Sequence, residues 1–391
     1  MGPRERVVTV DVLRGFALCG VLIGNLFWLY SGRAWTDQGD GRALDTAARW
    51  FVMLVVESKA QTLLTFLFGF GFAAQLLRAE QRAEPVMGLY LRRLVVLFVI
   101  GALHVTLLWW GDVTWTYAVA GFGLLLFQRA SNRVRIVSAL ILTFVPSLVW
   151  QLPGVATAAA GVFVEPSNHA ETLIAAMHGS SYAAVMSAHV RFALVWETAI
   201  YGWYYPWLVG RFLLGYVAGT QRWFDNDGAG HIALFKKLLV YGLIAGAASA
   251  AMTIALGSGA LDAYELTLPG ELGVAALEQL GLLGLTAAYV AIIVLLMQRL
   301  AWRRMLQIVA PVGRMPLTTY VSQSVICTFV FYGWGLGKAG RIGAAGCLGL
   351  ALAIFALQLV ACHLWLGRFR FGPLEWVWRT LVYLRRQPMR V

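Results

Sequence analysis

Apolar runs of roughly helix-spanning length, separated by short polar segments, recur along the whole chain. A run of about 20 apolar residues is what one helical crossing of a hydrocarbon core demands. The first is DVLRGFALCGVLIGNLFWLY, Asp11 to Tyr30, with no small-residue cleavage site after it, which reads as an uncleaved first helix. The next apolar material, 50–77, is interrupted at Glu57-Ser58-Lys59, so an interfacial segment should lead into a span from about Ala60. A long run from Arg92 to Phe127 breaks at Gly111-Asp112 and reads as two spans folded into a hairpin, with Asp112 placed to cap the second. Further runs lie near 135–152, 194–219, 234–257, 272–298, 315–336 and 342–366. The pattern predicts an all-α, polytopic transmembrane helix bundle of about ten spans. A more polar stretch divides it into an N-terminal bundle (1–153), an extracytoplasmic connecting stretch (154–191) and a C-terminal bundle (192–391).

Composition agrees: 60% of residues are hydrophobic, 13% are charged, and the mean hydropathy is +0.70. A net charge of +12 on a soluble chain would suggest a nucleic-acid partner, but here Lys and Arg gather in short clusters between apolar runs. They act as topology signals, and no nucleic-acid partner is expected. Arg4 and Arg6, Arg92 and Arg93, Arg133 and Arg135, Lys236 and Lys237, Arg303 and Arg304, and the arginines after 368 all fall on one side of a ten-span path. The acidic residues Asp37, Asp40, Asp45, Glu165, Glu171, Asp262 and Glu265 fall on the other. Both termini are therefore expected in the cytoplasm, His104 in the outer half of the membrane and Asp112 near its outer surface. All four cysteines lie in apolar segments without metal-ligand spacing, so neither a disulfide framework nor a metal site is expected.

His104 is the residue that points to chemistry. An ionisable group inside a span normally faces the bundle interior and is paired, because burying it in lipid is costly. An imidazole can deprotonate a hydroxyl or amine near neutral pH. Asp112 lies two turns along the same face, about 12 Å away in an unbroken helix. Direct contact requires a bend at Gly111; otherwise the two line one cavity. The plain alternative is a packed histidine bonded to a backbone carbonyl, with Asp112 serving only as a helix cap.

Several blocks resemble the YeiB-type family of bacterial membrane proteins: DVLRGFALCGVLIGN (11–25), TLLTFLFGFGFA (62–73), HVTLLWWGDVTWTY (104–117), VGRMPLTTYVSQS (312–324) and FGPLEWVWRTLVY (371–383). The likeness spans nearly the whole chain. That family is in turn distantly similar to membrane acyltransferases such as heparan-alpha-glucosaminide N-acetyltransferase, which use cytosolic acyl-CoA and a histidine within the bundle to acylate an acceptor on the far side. The resemblance implies acyl transfer in the bacterial cytoplasmic membrane. Acetyl-CoA or another acyl-CoA would be the donor, a small molecule or glycan the acceptor, and His104 the match to the histidine.

The remaining polar groups admit two readings each. Arg14 is placed to contact the phosphates of an entering acyl-CoA or to form an i,i+3 ion pair with Asp11. Arg314 is a second phosphate candidate. Asn25 and Gln323 lie deep in spans, where they orient an acyl carbonyl or join helices. Trp196, Trp203, Tyr204, Tyr205 and Trp207 read as an interfacial belt, and His169, His178 and His189 lack ligand spacing. The rival function is a proton-coupled transporter or efflux component with His104 as relay, which should carry paired intramembrane carboxylates and inverted repeats. Neither stands out: no repeat is evident, and Glu197 and Glu278 are isolated. The sequence leaves open the acceptor, the acyl chain length and the oligomeric state, a homodimer included.

Overall fold

The computed structural model describes residues 7–33, 42–82, 86–153, 155, 166–258 and 267–390, and among these it is helical with no β-sheet. In chain order the helices are α1 (Val8–Gly24), continued by a π-helical turn Asn25–Tyr30; α2 (Ala43–Phe51); α3 (Lys59–Arg82); α4 (Val86–Leu107); α5 (Thr114–Gly123); and α6 (Asn132–Val149). There follow α7 (Pro166–His178), α8 (Tyr182–Thr220), α9 (Ile232–Gly257), α10 (Leu268–Met297), α11 (Leu300–Leu306), α12 (Ala310–Arg314), α13 (Pro316–Phe331), α14 (Ala344–Leu366) and α15 (Pro373–Tyr383).

Seven helices among the described residues are long and apolar enough to cross a membrane, running Val8–Tyr30, Ala43–Leu77, Met87–Leu107, Asn132–Val149, Asp225–Gly257, Leu268–Met297 and Ala344–Leu366. The other three expected spans fall on α5, α8 and α13. The hairpin's second arm is a short helix followed by a 3-10 turn, Leu124–Phe127, and α13 has 16 residues. Large apolar side chains point outward from several helices, including Val95, Val99 and Leu103 on α4 and Leu357, Val360 and Leu364 on α14. Outward apolar faces suit a lipid solvent and would be a liability in water.

The break at Glu57-Ser58 is real: Ser58 has φ +60° and α3 starts at Lys59. The connecting stretch departs further from its polar appearance. α7 occupies part of it, and α8 begins at Tyr182, capped by Ser181, and runs unbroken through 191 to Thr220. The polar residues that disguised this helix include His189, which turns inward.

Two devices bring the helices together. Where α3 crosses α8, a side chain at Gly69 would sit 1.9 Å from the Phe212 carbonyl oxygen, and one at Gly215 would sit 1.8 Å from that of Phe66. Only glycine permits so close an approach. The second device is capping from afar, in which a carboxylate satisfies the free N–H groups that start another helix. Asp227 accepts from the Thr9 amide at α1, Asp45 from the Ala345 amide at α14, and Glu375 from the Leu317 and Thr318 amides at α13.

Candidate functional site

The α4–α5 hairpin closes four residues earlier than its sequence break suggests. α4 ends at Leu107, and the chain turns through Trp109, Trp110 and Gly111 before α5. Trp109 is fully buried and stacks on Tyr30 at 4.2 Å between ring centroids, while Trp110 packs edge-on against Phe192 of α8. This aromatic plug covers the turn, so Asp112 is 3% exposed rather than placed at an open surface.

The turn carries Asp112 back onto His104. Oδ1 of Asp112 stands 3.0 Å from Nδ1 of His104, and both side chains are buried. Oδ2 accepts from the Thr114 amide at 2.9 Å, the Trp115 amide at 3.0 Å and the Thr114 hydroxyl at 2.7 Å, which caps α5 as expected. The two readings of Asp112, cap and histidine partner, are thus both met, by different oxygens. Approach is possible because Gly101 lies one turn before His104: a Cβ there would fall 2.7 Å from Oδ2 and 2.4 Å from the Trp115 nitrogen.

The His104–Asp112 contact is bent away from full hydrogen-bond alignment, and neither ring nitrogen has another partner among the described residues. With Nδ1 turned to a carboxylate, the proton belongs on Nδ1 and the lone pair on Nε2. That leaves a buried basic nitrogen, His104 Nε2, without a hydrogen-bond donor. Tyr320 of α13 flanks the pair, its ring centroid 5.4 Å from that of His104. Its hydroxyl accepts from the Val113 amide at 3.3 Å and donates to the Gly111 carbonyl at 3.5 Å. Beside it, Tyr30 donates to Ser324 at 2.8 Å. Glu375 caps the helix that presents Tyr320, so the block 371–383 serves the site from a distance.

The predicted arginines lie at the other end of α4. Arg14 pairs with Asp11 at 3.2 Å and is half-buried. Arg314 ends α12, where the adjoining Gly313 packs on the Asp11 carbonyl of α1, so the two arginines share one helix junction. The structure adds Arg93 and Arg379, which were legible only as topology signals. Arg93 turns inward between the rings of Phe68 and Trp378, at 5.7 and 5.2 Å, and lies near enough to both Arg14 and Arg379 to feel their charge. From Arg93 to His104 is about 16 Å along α4.

The two amides divide. Asn25 is half-buried at the start of the π turn and makes no side-chain hydrogen bond among the described residues. Gln323 donates to Gln358 of α14 at 3.0 Å, and Gln358 donates in turn to the Thr319 carbonyl, so Gln323 joins helices. The supposed belt is also split: Trp207 is buried against Arg211, and the side chains of Trp196, Glu197 and Trp203 lie outside the described residues, as does that of His169. His178 is exposed, whereas His189 is fully buried with Nε2 3.1 Å from the Tyr332 hydroxyl. A crevice of about 240 Å³ between α1, α3 and α10 is apolar apart from Lys59 and Tyr289, and His104 is not among the residues that line it.

The model of a protein family of unknown function, DUF418, matches residues 218–385. The uncharacterized protein YxaH of Bacillus subtilis (strain 168) is 30% identical over 403 residues, covering 98% of this chain and 96% of its own. An uncharacterized 39.9 kDa protein from the amylase 3' region of Bacillus acidopullulyticus is 30% identical over 387 residues, with the same coverage. The uncharacterized protein YeiB of Escherichia coli (strain K12) is 28% identical, covering 96% of each. No solved structure matches. The chain therefore belongs to the YeiB-type family, with the DUF418 region forming its C-terminal half.

Proposed function

We propose that this protein is a membrane acyltransferase of the bacterial cytoplasmic membrane, moving an acyl group of acetyl size from cytoplasmic acyl-CoA to an acceptor at the outer side. In this reading the chain crosses ten times with both termini in the cytoplasm, as the charge bias implies. Cysteine labelling from outside should then modify the exposed position Ser180→Cys and leave the exposed position Asp225→Cys unmodified until the membrane is opened; the reverse pattern would invert the topology.

The observation that carries the chemistry is a buried histidine whose Nδ1 faces a carboxylate and whose Nε2 has no partner among the described residues. An acceptor hydroxyl or amine would give its proton to Nε2 as its oxygen or nitrogen attacks the thioester carbonyl. The new C–O or C–N bond forms, the C–S bond breaks, and the departing thiolate takes up the proton that the imidazolium held. Asp112 keeps the ring in the tautomer this requires and offsets the transient positive charge. Bent contacts of this kind tighten when substrate closes the site. The arginines at the basic end of α4 would hold the donor's phosphates, with an extended arm reaching toward His104.

Purified His104→Ala in detergent tests the reading. It should melt near the wild-type temperature and bind CoA as well, yet release thiol from acetyl-CoA about 10²- to 10⁴-fold more slowly with acceptor present. A folded variant with wild-type turnover would end the catalytic role of His104. A proton-coupled transporter predicts instead that no thioester is consumed while substrate flux depends on His104.

A further inference from the structure

Arg211 of α8 is 0% exposed and sits in the middle of the bundle. An arginine stays charged wherever it is placed, so burying it is costly unless an anion accompanies it. None of its contacts supplies one. Nε donates to the Thr62 hydroxyl of α3 at 3.3 Å, one terminal nitrogen to the Trp207 carbonyl at 3.2 Å, and the other to Gln279 Oε1 of α10 at 3.0 Å. The Trp207 ring lies under the guanidinium at 3.1 Å. Every partner is neutral, and no carboxylate pairs with Arg211 among the described residues. Of the five N–H donors three are used, which leaves one on each terminal nitrogen. A guanidinium with a donor to spare on each terminal nitrogen has the capacity to hold a carboxylate through two bonds.

The surroundings connect this cation to the histidine. Arg211 interacts electrostatically with Tyr117 and Tyr204, and Tyr320 interacts with those same two tyrosines and with Asp112. Tyr117 meets the Thr65 hydroxyl at 2.6 Å, and Tyr204 accepts from Gln61 at 2.6 Å. Tyr117 also reaches the Gln61 carbonyl at 3.4 Å and Tyr204 stacks on the Trp207 ring that lies under Arg211, so polar side chains occupy the region between the His104–Asp112 pair and Arg211.

We infer that Arg211 binds a carboxylate, and that the acceptor acylated at His104 carries that carboxylate alongside its hydroxyl or amine. The second clause rests on the acyl-transfer reading; the first does not. A single negative charge is favoured over a phosphate dianion because one cation is present, and any excess charge would itself be buried unpaired.

The test uses the full chain in chloride-poor detergent buffer without CoA, and measures binding of lactate, 3-hydroxybutyrate and 4-hydroxybenzoate, each against its uncharged amide. At least one acid should bind about tenfold or more tightly than its amide. Arg211→Gln should abolish that preference. Gln279→Glu places a carboxylate where the Gln279 carbonyl oxygen now meets Arg211; it should raise the melting temperature of the ligand-free protein and also abolish the preference, which keeps the test decisive if Arg211→Gln does not fold. Acids that bind no better than their amides, or a preference that survives Gln279→Glu, would overturn the site. A carboxylate that binds but is never acylated from acetyl-CoA would retire the acyl-transfer reading and leave the anion site standing.

Discussion

Asp112 follows His104 by eight residues, yet its Oδ1 stands 3.0 Å from the histidine's Nδ1. The contact needs three local features together: a helix that ends at Leu107, a turn held under Trp109 and Trp110, and the missing side chain of Gly101. Oδ2 is meanwhile fixed by the first turn of α5, so the carboxylate's free oxygen has little choice of direction. The pair is preorganised by backbone geometry rather than by its own mutual attraction.

The dependence on Asp112 can be separated from simple helix capping. Asp112→Asn keeps an oxygen to cap α5 but presents an amide to Nδ1, which favours the wrong tautomer. Thioester turnover should fall by about 10²-fold or more, with CoA affinity and melting temperature nearly unchanged. Gly101→Ala should act on both, because its Cβ meets Oδ2 and the Trp115 nitrogen: a loss of about 1–3 kcal/mol in stability together with a fall in turnover. Equal activity in the wild type and both variants would show that the contact has no part in the chemistry.

At the basic end of α4, Arg93 lies within electrostatic range of Arg14, which also pairs with Asp11, and of Arg379. In the proposed function the anionic donor would bind against this positive charge. Arg93→Gln should weaken CoA binding by about 1–3 kcal/mol and reduce its sensitivity to salt, while leaving intact the acid-over-amide preference assigned to Arg211. Calorimetry that finds unchanged CoA affinity at low salt would remove Arg93 from the donor site.

What the sequence disclosed follows from the range over which each signal acts. Periodicity and apolar length are local, so most helices and the presence of a hairpin between 92 and 127 were readable, as was the burial of a histidine within it; the end of α4 at Leu107 and the start of α8 at Tyr182 were not. Nor were contacts made at long range. Glu375 caps α13 from 57 and 58 residues away, and Asp227 caps α1 from 218. Arg93 read as a topology marker because a charge beside a span normally stays in the interface; only packing against Phe68 and Trp378 turns it inward. Trp207 looked like part of an aromatic belt because composition cannot tell a wet ring from one lying beneath Arg211. The close approach of α9 to α10 was equally hidden, since it depends on Gly242, where a Cβ would come 2.3 Å from the Gly284 carbonyl oxygen.

The last prediction concerns pH and the long-range cap. Glu375 lies outside the candidate spans, is 9% exposed, and accepts from the Leu317 amide at 2.6 Å, the Thr318 amide at 3.0 Å and the Thr318 hydroxyl at 2.5 Å. Burial pushes its carboxyl above the usual range, outweighing the hydrogen bonds from Thr318 and Leu317 that pull it down. A group whose pKa is raised by folding favours the folded state most when protonated. Its contribution is therefore complete below the ordinary glutamate value, about pH 4.3, and is lost as pH rises through the raised one. Glu375→Gln has a similar shape and no titration, so it isolates the effect. The melting temperature of the wild type relative to Glu375→Gln should fall as the buffer moves from about pH 4 toward pH 7, then level off once Glu375 is ionised in both states. A difference that instead rises across this interval would mean that the capped, ionised form is the one folding prefers, and that the helix N-terminus outweighs burial at this position.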